Sequence, residues 1–343
     1  FINDNPDATN LQLDHIDIEV DNATSPQHIA INSDLIEGRV DGSYSVATLA
    51  NSCIDILAHS FPIITQQQEQ ATNKKSKKKA EVHKNNDFGF SFTVKDNNAL
   101  TDFLNTPIKL IHPIYINGHL NHSDHTMGLS IDAPYLQKGF KLIRNTALNV
   151  DIVNADDRCN VNATITMPSK KGDTTANLDL SGKDNRIDTD LSWSIDNARE
   201  FKGNVSLSAQ LDKAEDNSFL ADIDINKSQL VFNDTAWTVN PAEINVIGNY
   251  IKVDGIDIRR EGQFITINGE ASPNMEHQLL LDLNNVNLDY VFQTLAINNV
   301  TFGGNATGTF FASNLFSKQP ILYTPKLDVK GFSYNGAVFG DAI

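Results

Sequence analysis

Two cysteines in 343 residues leave no disulfide framework and no zinc-ligand spacing to build on. Cys53 and Cys159 stand far apart in unrelated sequence contexts and read as buried free thiols, with a single disulfide as the alternative. Methionine (3) and tryptophan (2) are scarce and aromatics make up only 8%, so an apolar surface must be built from Ile, Leu, Val and Phe. No run of about 18 apolar residues occurs, so no segment of this sequence spans a bilayer as a helix. Positive charge is short as well. Lys+Arg 27 against Asp+Glu 43 gives a net charge of −16, and setting aside the Lys-rich segment 66–86 leaves −20. A field of that sign repels phosphate backbones and argues against nucleic acid as a partner. The sequence does not open with Met, shows no signal-peptide pattern at Phe1, and stops within what reads as a strand at Ala337–Ile343. The expectation is a fragment of a longer protein.

The usual signatures of catalysis are missing too. There is no G-x-S-x-G, no H-E-x-x-H, no Walker A and no G-x-G-x-x-G. Gly303–Gly308 is glycine-rich, but it lacks a strand-then-helix context and no Lys-Ser/Thr follows. His119, His122, Asp124 and His125 form the one metal-like cluster. Strand geometry puts His119 and His125 on one face and His122 on the other, so a polar hairpin turn is the better reading. Carboxylates at Asp14–Asp21 and Asp184–Asp190 recur on polar strand faces, and no pair is singled out for acid–base work. The sequence does not indicate an enzyme and implies no cofactor and no metal.

What is plentiful is alternation. Ile187, Thr189, Leu191, Trp193 and Ile195 fall on one side of an extended chain, and Asp188, Asp190, Ser192 and Ser194 on the other. Phe201 to Leu211 repeats the pattern, with Val205 and Leu207 on the dry side and Ser206 and Ser208 on the wet one. A period of two marks a strand with one apolar face. The same reading holds at Leu178 and Leu180, Ile223 and Ile225, Ile251 and Val253, and Ile265 and Ile267, with segments following at roughly 10–14 residues. From Thr174 to Ala271 no helix-length pattern intervenes, so no crossover helices can cover a sheet.

The remainder of the chain fits around that stretch. Leu11–Val20 and Ile29–Ile31 alternate, and Leu35–Tyr44 reads as a strand, a glycine kink and a second short strand. Val46, Leu49, Cys53, Ile56, Leu57 and Ser60 change to helical spacing, and Pro62 ends the run. Gln66–Asn86 has almost no apolar residues and reads as a disordered Lys/Gln-rich insert, with contact to an anionic membrane surface as the functional alternative. Phe88–Val94 resumes as a strand, and Asn98–Leu104 reads as a short helix capped by Asp96 or Asn97. Ile114–Leu120 and Met127–Ile131 are strands joined by a polar turn. Leu288–Leu295 reads as one or two helical turns, Val300–Thr309 as extended, and Tyr323–Phe339 as the last strands. Three regions follow: N-terminal strands with an amphipathic helix (1–65), the insert (66–86), and a continuous repetitive β-region (87–343). The fold class is all-β, an elongated, curved, mostly antiparallel sheet with a few short helices.

Trp237-Thr-Val-Asn-Pro241, Ile251–Ile258 and Gly262-Gln-Phe-Ile-Thr-Ile-Asn-Gly269 resemble the recurring unit of the bacterial AsmA/TamB family. So do Val300–Gly308, Pro325–Phe332 and Gly336–Asp341, and, upstream, Leu35–Leu49 followed by a helix and Phe61-Pro62. The Lys-rich insert departs from the pattern. The resemblance implies a half-pipe, or β-taco, with an apolar interior. It also implies a periplasmic place in the cell envelope of a Gram-negative bacterium, anchored to the inner membrane through a segment not present here. The function it implies is phospholipid transport between inner and outer membranes. Alternatives are a scaffold for outer-membrane protein assembly, with a barrel assembly protein as partner, and a structural or adhesive β-solenoid filled by its own side chains. In such a groove acyl chains would meet Val161, Ile165, Leu178, Leu180, Ile187, Leu191, Trp193, Ile195, Val205, Leu207, Leu211, Ile223, Ile225, Ile265 and Ile267. Strands lie ~4.8 Å apart, so about 20 of them would extend ~95 Å in one curved sheet. An acyl chain exposed to water loses roughly 0.8 kcal/mol per CH₂, a barrier that a continuous apolar trough removes without covalent chemistry.

Overall fold

The computed structural model describes residues 11–23, 26–64, 86–153, 156–169, 172–195, 201–214, 216–232, 235–288, 301–317 and 319–342. The chain is all-β, 68% strand and 8% helix, and the pairings described are antiparallel. It forms two compact units, Phe1–Ala198 and Arg199–Ile343.

The first unit holds β1 (Ile16–Asp21), β2 (Gln27–Ser33), β3 (Ile36–Ser43), β4 (Asp87–Val94), β5 (Ile108–Leu110), β6 (Ile114–Asn121), β7 (Thr126–Lys138), β8 (Lys141–Val153), β9 (Arg158–Ser169), β10 (Gly172–Lys183) and β11 (Arg186–Ile195). Each pairs with the next in that order, except that β4 pairs β6 and the short β5 pairs the far end of β7. Local sequence explains the closures. β10 and β11 are joined by two residues, Asp184 and Asn185, both at positive φ (52° and 61°), the backbone of a type I′ hairpin. Two helices interrupt the strands: α1 (Val46–Ser60) between β3 and β4, and α2 (Ala99–Phe103) between β4 and β5.

Several boundaries differ from those expected from sequence. β1 begins at Ile16, while Leu11 is buried outside any strand. β3 runs from Ile36 to Ser43 without a kink. Its Gly38 is needed for room rather than for a bend, since a Cβ there would fall 2.2 Å from Phe92 Cδ1. The N-cap of α2 is Asn98, whose side chain instead accepts the Leu110 N–H (2.8 Å), and Asn97 Oδ1 accepts the Ala99 N–H (3.0 Å). The insert lies outside the described residues apart from its last residue: Asn86 is fully buried and hydrogen-bonded. The expected turns after Leu288 also lie outside the described residues.

The second unit holds β12 (Phe201–Lys213), β13 (Phe219–Ile225), β14 (Ser228–Phe232), β15 (Thr235–Val239), β16 (Ala242–Ile247), β17 (Tyr250–Arg260), β18 (Gln263–Ala271), β19 (Gln278–Asn287), β20 (Phe302–Ser313), β21 (Ile321–Tyr323), β22 (Leu327–Tyr334) and β23 (Ala337–Ala342). Two short strand pairs bridge β12 to β17: β13 with β16, and β14 with β15. From β17 the ladder runs through β18, β19, β20 and β22 to β23. The extended segments expected after Val300 and Tyr323 are β20, β22 and β23.

Candidate apolar binding face

Register decides which side chains share a face, because directly paired residues point the same way. In the first unit Val20 pairs Ile29, which pairs Val40, which pairs Phe90. Further along, Leu129 pairs Val150, Val150 pairs Val161, Val161 pairs Leu180, and Leu180 pairs Thr189. One face of this unit is therefore apolar from β1 to β11. Val161, Ile165, Leu178, Leu180, Ile187, Leu191, Trp193 and Ile195 all lie on it. In the second unit Leu207 pairs Ile225 and Leu211 pairs Ala221, while Ile265 and Ile267 pair Leu283 and Leu281. Through β13, β16 and β17 the register places Val205, Leu207, Leu211, Ile223, Ile225, Ile265 and Ile267 together on that unit's apolar face.

The reverse face carries the negative charge. Asp17, Glu19, Glu37, Asp41, Asp151, Asp179, Asp188 and Asp190 lie on it, and His28 Nδ1 of β2 lies 2.6 Å from Asp41 Oδ1 of β3. Asn162 Nδ2 donates to Asp179 Oδ1 (2.6 Å), and in the second unit Asn245 Nδ2 donates to Asp222 Oδ1 (2.8 Å). Cross-strand pairs of this kind satisfy carboxylates without burying them.

Burial differs along the apolar face. Most of its residues on β9–β11 are half-buried and Leu191 is 40% exposed, so the floor there remains accessible. In the second unit Trp237, Val286 and Ala306 are buried, with the Arg260 guanidinium 5.6 Å from the Trp237 ring centroid. Of the groove residues in that unit Ile225 is buried, and Val205, Leu207, Leu211, Ile223, Ile265 and Ile267 are half-buried.

Helix α1 lies on the apolar face of the first unit, and its two halves sit differently. Ile56 in the C-terminal half is fully buried against Leu120, Ile152 and Cys159, and Leu57 and Phe61 pack on the same cluster. The N-terminal half leaves a cavity of ≈ 450 Å³ between itself and the sheet. Leu49 and Cys53 form its roof, and Ile29, Val40, Phe88, Phe90, Phe92, Leu129 and Val150 its floor and sides. Phe90 and Phe92 fold over glycines of the neighbouring strands. A Cβ on Gly118 would meet Phe90 Cζ at 2.4 Å, as one on Gly38 would meet Phe92.

Asn86 holds the roof in place. Its Nδ2 donates to Thr48 Oγ1 (3.1 Å) and Ser52 Oγ (2.7 Å), and its Oδ1 accepts the Ser45 N–H (2.6 Å). The buried stripe of α1 is thus Thr48, Ser52, Ile56 and Ser60. It keeps Ile56 and Ser60 of the apolar series expected from sequence and puts Thr48 and Ser52 one position before Leu49 and Cys53, which are half-buried. Val46, which that series included, is 83% exposed. Nothing in the local pattern marks Asn86 as the partner of those hydroxyls, because the partners lie 34 to 41 residues away.

The polar candidates resolve differently. His119 sits on the polar face with its ring over Gly128, while His122 and His125 occupy the β6–β7 turn, His125 at φ 52°. His59 of α1 joins them, with ring centroids 3.9 Å from His125. No group suited to a metal ion occurs among the described residues. Cys53 and Cys159 are both free and belong to the same apolar cluster despite their separation in sequence, and burial raises the pKa of each thiol. Among the described residues no helix is long and apolar enough to cross a membrane. No known protein family, curated protein or solved structure matches the chain.

Proposed function

We propose that this chain is a lipid-carrying segment of an AsmA/TamB-like bridge protein in a bacterial cell envelope, whose apolar face takes the acyl chains of phospholipids in passage between membranes. One observation carries the reading: the apolar face of β9–β11 stays accessible while the reverse of the same strands is polar and acidic. A solenoid filled by its own side chains would bury Leu191, which is 40% exposed. An accessible hydrocarbon floor lowers the roughly 0.8 kcal/mol per CH₂ that an acyl chain loses in water. A polar outer face keeps such a sheet hydrated. No reacting group is required, since moving a lipid along the face makes and breaks no covalent bond.

The test is mass spectrometry of lipids that co-purify with the protein expressed in a Gram-negative periplasm and isolated without detergent. Glycerophospholipid is expected in the wild type and strongly reduced in Leu180→Asp, which places a carboxylate in the middle of the accessible floor. Absence of bound phospholipid from the wild type would overturn the reading.

A further inference from the structure

The cavity under α1 differs from the open face beside it. Its wall combines a helix and a sheet, its ≈ 450 Å³ falls within the range of small-molecule sites, and its lining is almost wholly hydrocarbon. A ligand portion carrying unpaired polar groups would lose its hydration there without compensation, so the chemistry of the wall selects for hydrocarbon. The cavity persists because α1 is held at both ends. Ile56 and Phe61 seat its C-terminal half on the sheet, while Asn86 fixes Ser45, Thr48 and Ser52 at the other end.

We propose that this cavity is a discrete site for one hydrocarbon chain, roofed by α1, that can hold the acyl chain of a free fatty acid or one chain of a phospholipid. The proposal rests on the reading of the apolar face as a lipid surface, and it adds a fixed holding position at one place on that face. The head of the ligand stays outside, because the lining offers it no ion pair.

Cys53 makes the site testable in the unaltered protein. Its thiol lines the roof, whereas Cys159 is buried in the adjoining core and serves as an internal reference. cis-Parinaric acid is the first probe and a parinaroyl phosphatidylcholine presented in vesicles the second. Saturating parinarate should raise probe emission and slow alkylation of Cys53 by N-ethylmaleimide at least tenfold. Cys53→Trp, which fills the cavity, should weaken parinarate binding at least tenfold, while Ser194→Ala, exposed on the polar reverse face of β11, should leave it within twofold. Thermal melting establishes that each variant is folded. If Cys53→Trp fails to fold, the protection experiment decides alone. Binding of parinarate without protection of Cys53, or no binding at all, overturns the proposal. Phospholipid that co-purifies without parinarate entering the cavity sinks this site and leaves the transport reading standing. Cavity binding with no co-purified phospholipid does the reverse. Uptake of parinarate but not of the phosphatidylcholine assigns the site to free fatty acids, and uptake of both assigns it to acyl chains of either source.

Discussion

The Phe61 ring lies against Gly182, where a Cβ would fall 2.2 Å from Phe61 Cζ. Phe61 follows the last turn of α1, and Gly182 sits two residues before the β10–β11 hairpin. The hairpin returns the grip: Asn185 N–H donates to the Ser60 carbonyl (3.2 Å), and Asn185 Oδ1 accepts the Ile63 N–H (2.9 Å). Gly182→Ala should therefore push the ring off the sheet and loosen the seating of Ile56. Overpacking of this kind costs roughly 1–3 kcal/mol, and each kcal/mol lowers the melting temperature of a unit this size by about 2–4 °C. An unchanged melting temperature would show that Phe61 does not anchor the helix.

Segment 66–85 and Asn86 should behave in opposite ways. Replacing 66–85 with a short Gly-Ser linker removes almost no apolar surface, so the melting temperature should stay nearly constant. Asn86→Ala leaves the buried Ser52 hydroxyl and the Ser45 N–H without their partner, while Thr48 Oγ1 keeps its bond to the Ser45 carbonyl, at about 1–3 kcal/mol for each unsatisfied group. The sum should be a loss of several kcal/mol, read by urea unfolding. Equal stability of Asn86→Ala and the wild type would mean that the clamp contributes nothing.

The contrast between these two neighbours shows what sequence can and cannot convey here. Alternation is local, so the faces of β9–β11 and β12–β13 are legible from residues such as Leu191 and Leu207 without knowing the fold. Asn86 closes a polar run and carries no local mark of burial, and its role depends on Ser45, Thr48 and Ser52 returning to it across a long separation. The cavity is hidden for the same reason. Phe88, Phe90 and Phe92 are readable as a strand, but not as the wall of a space that exists only because α1 is held above them. His59 escapes notice because its neighbours His122 and His125 approach it only after α1 docks.

That histidine group implies a dependence on pH. The pKa of His125 is lowered from 6.5, first by burial and then by His59 and His122, while Asp157 and Asp124 pull it back up. A depressed pKa means that the unfolded chain takes up the proton before the folded one does. The contribution is therefore fully present above about pH 6.5 and is lost as pH falls through the folded value. The clean measurement is the difference between wild type and His125→Gln in stability from pH 7.5 to 5. The variant should lose less stability across that window, and parallel profiles would remove His125 from the account.

In the second unit the decisive change is Leu207→Asp. Leu207 lies half-buried on the apolar face opposite Ile225, between Val205 and Ala209 on its own strand. Its backbone ladder does not depend on the side chain, so strand pairing should survive where the face is open. A carboxylate lacking a partner among hydrocarbon loses several kcal/mol of hydration if the site is dry, so an acyl chain should no longer pass over it. The control belongs on the polar face at an exposed position, and Asn204→Asp serves, since the neighbouring Ser206 N–H is held by Ser228 Oγ (3.0 Å). The expected outcome is loss of bound phospholipid in Leu207→Asp with the β signal in circular dichroism retained, and no change in Asn204→Asp. If this unit instead fills its apolar face with its own side chains, as the burial of Trp237 and Val286 would allow, the same substitution places a charge in a packed core and unfolds it. Unfolding would then confine the lipid path to the first unit, and unchanged lipid binding in both variants would remove the second unit from the path altogether.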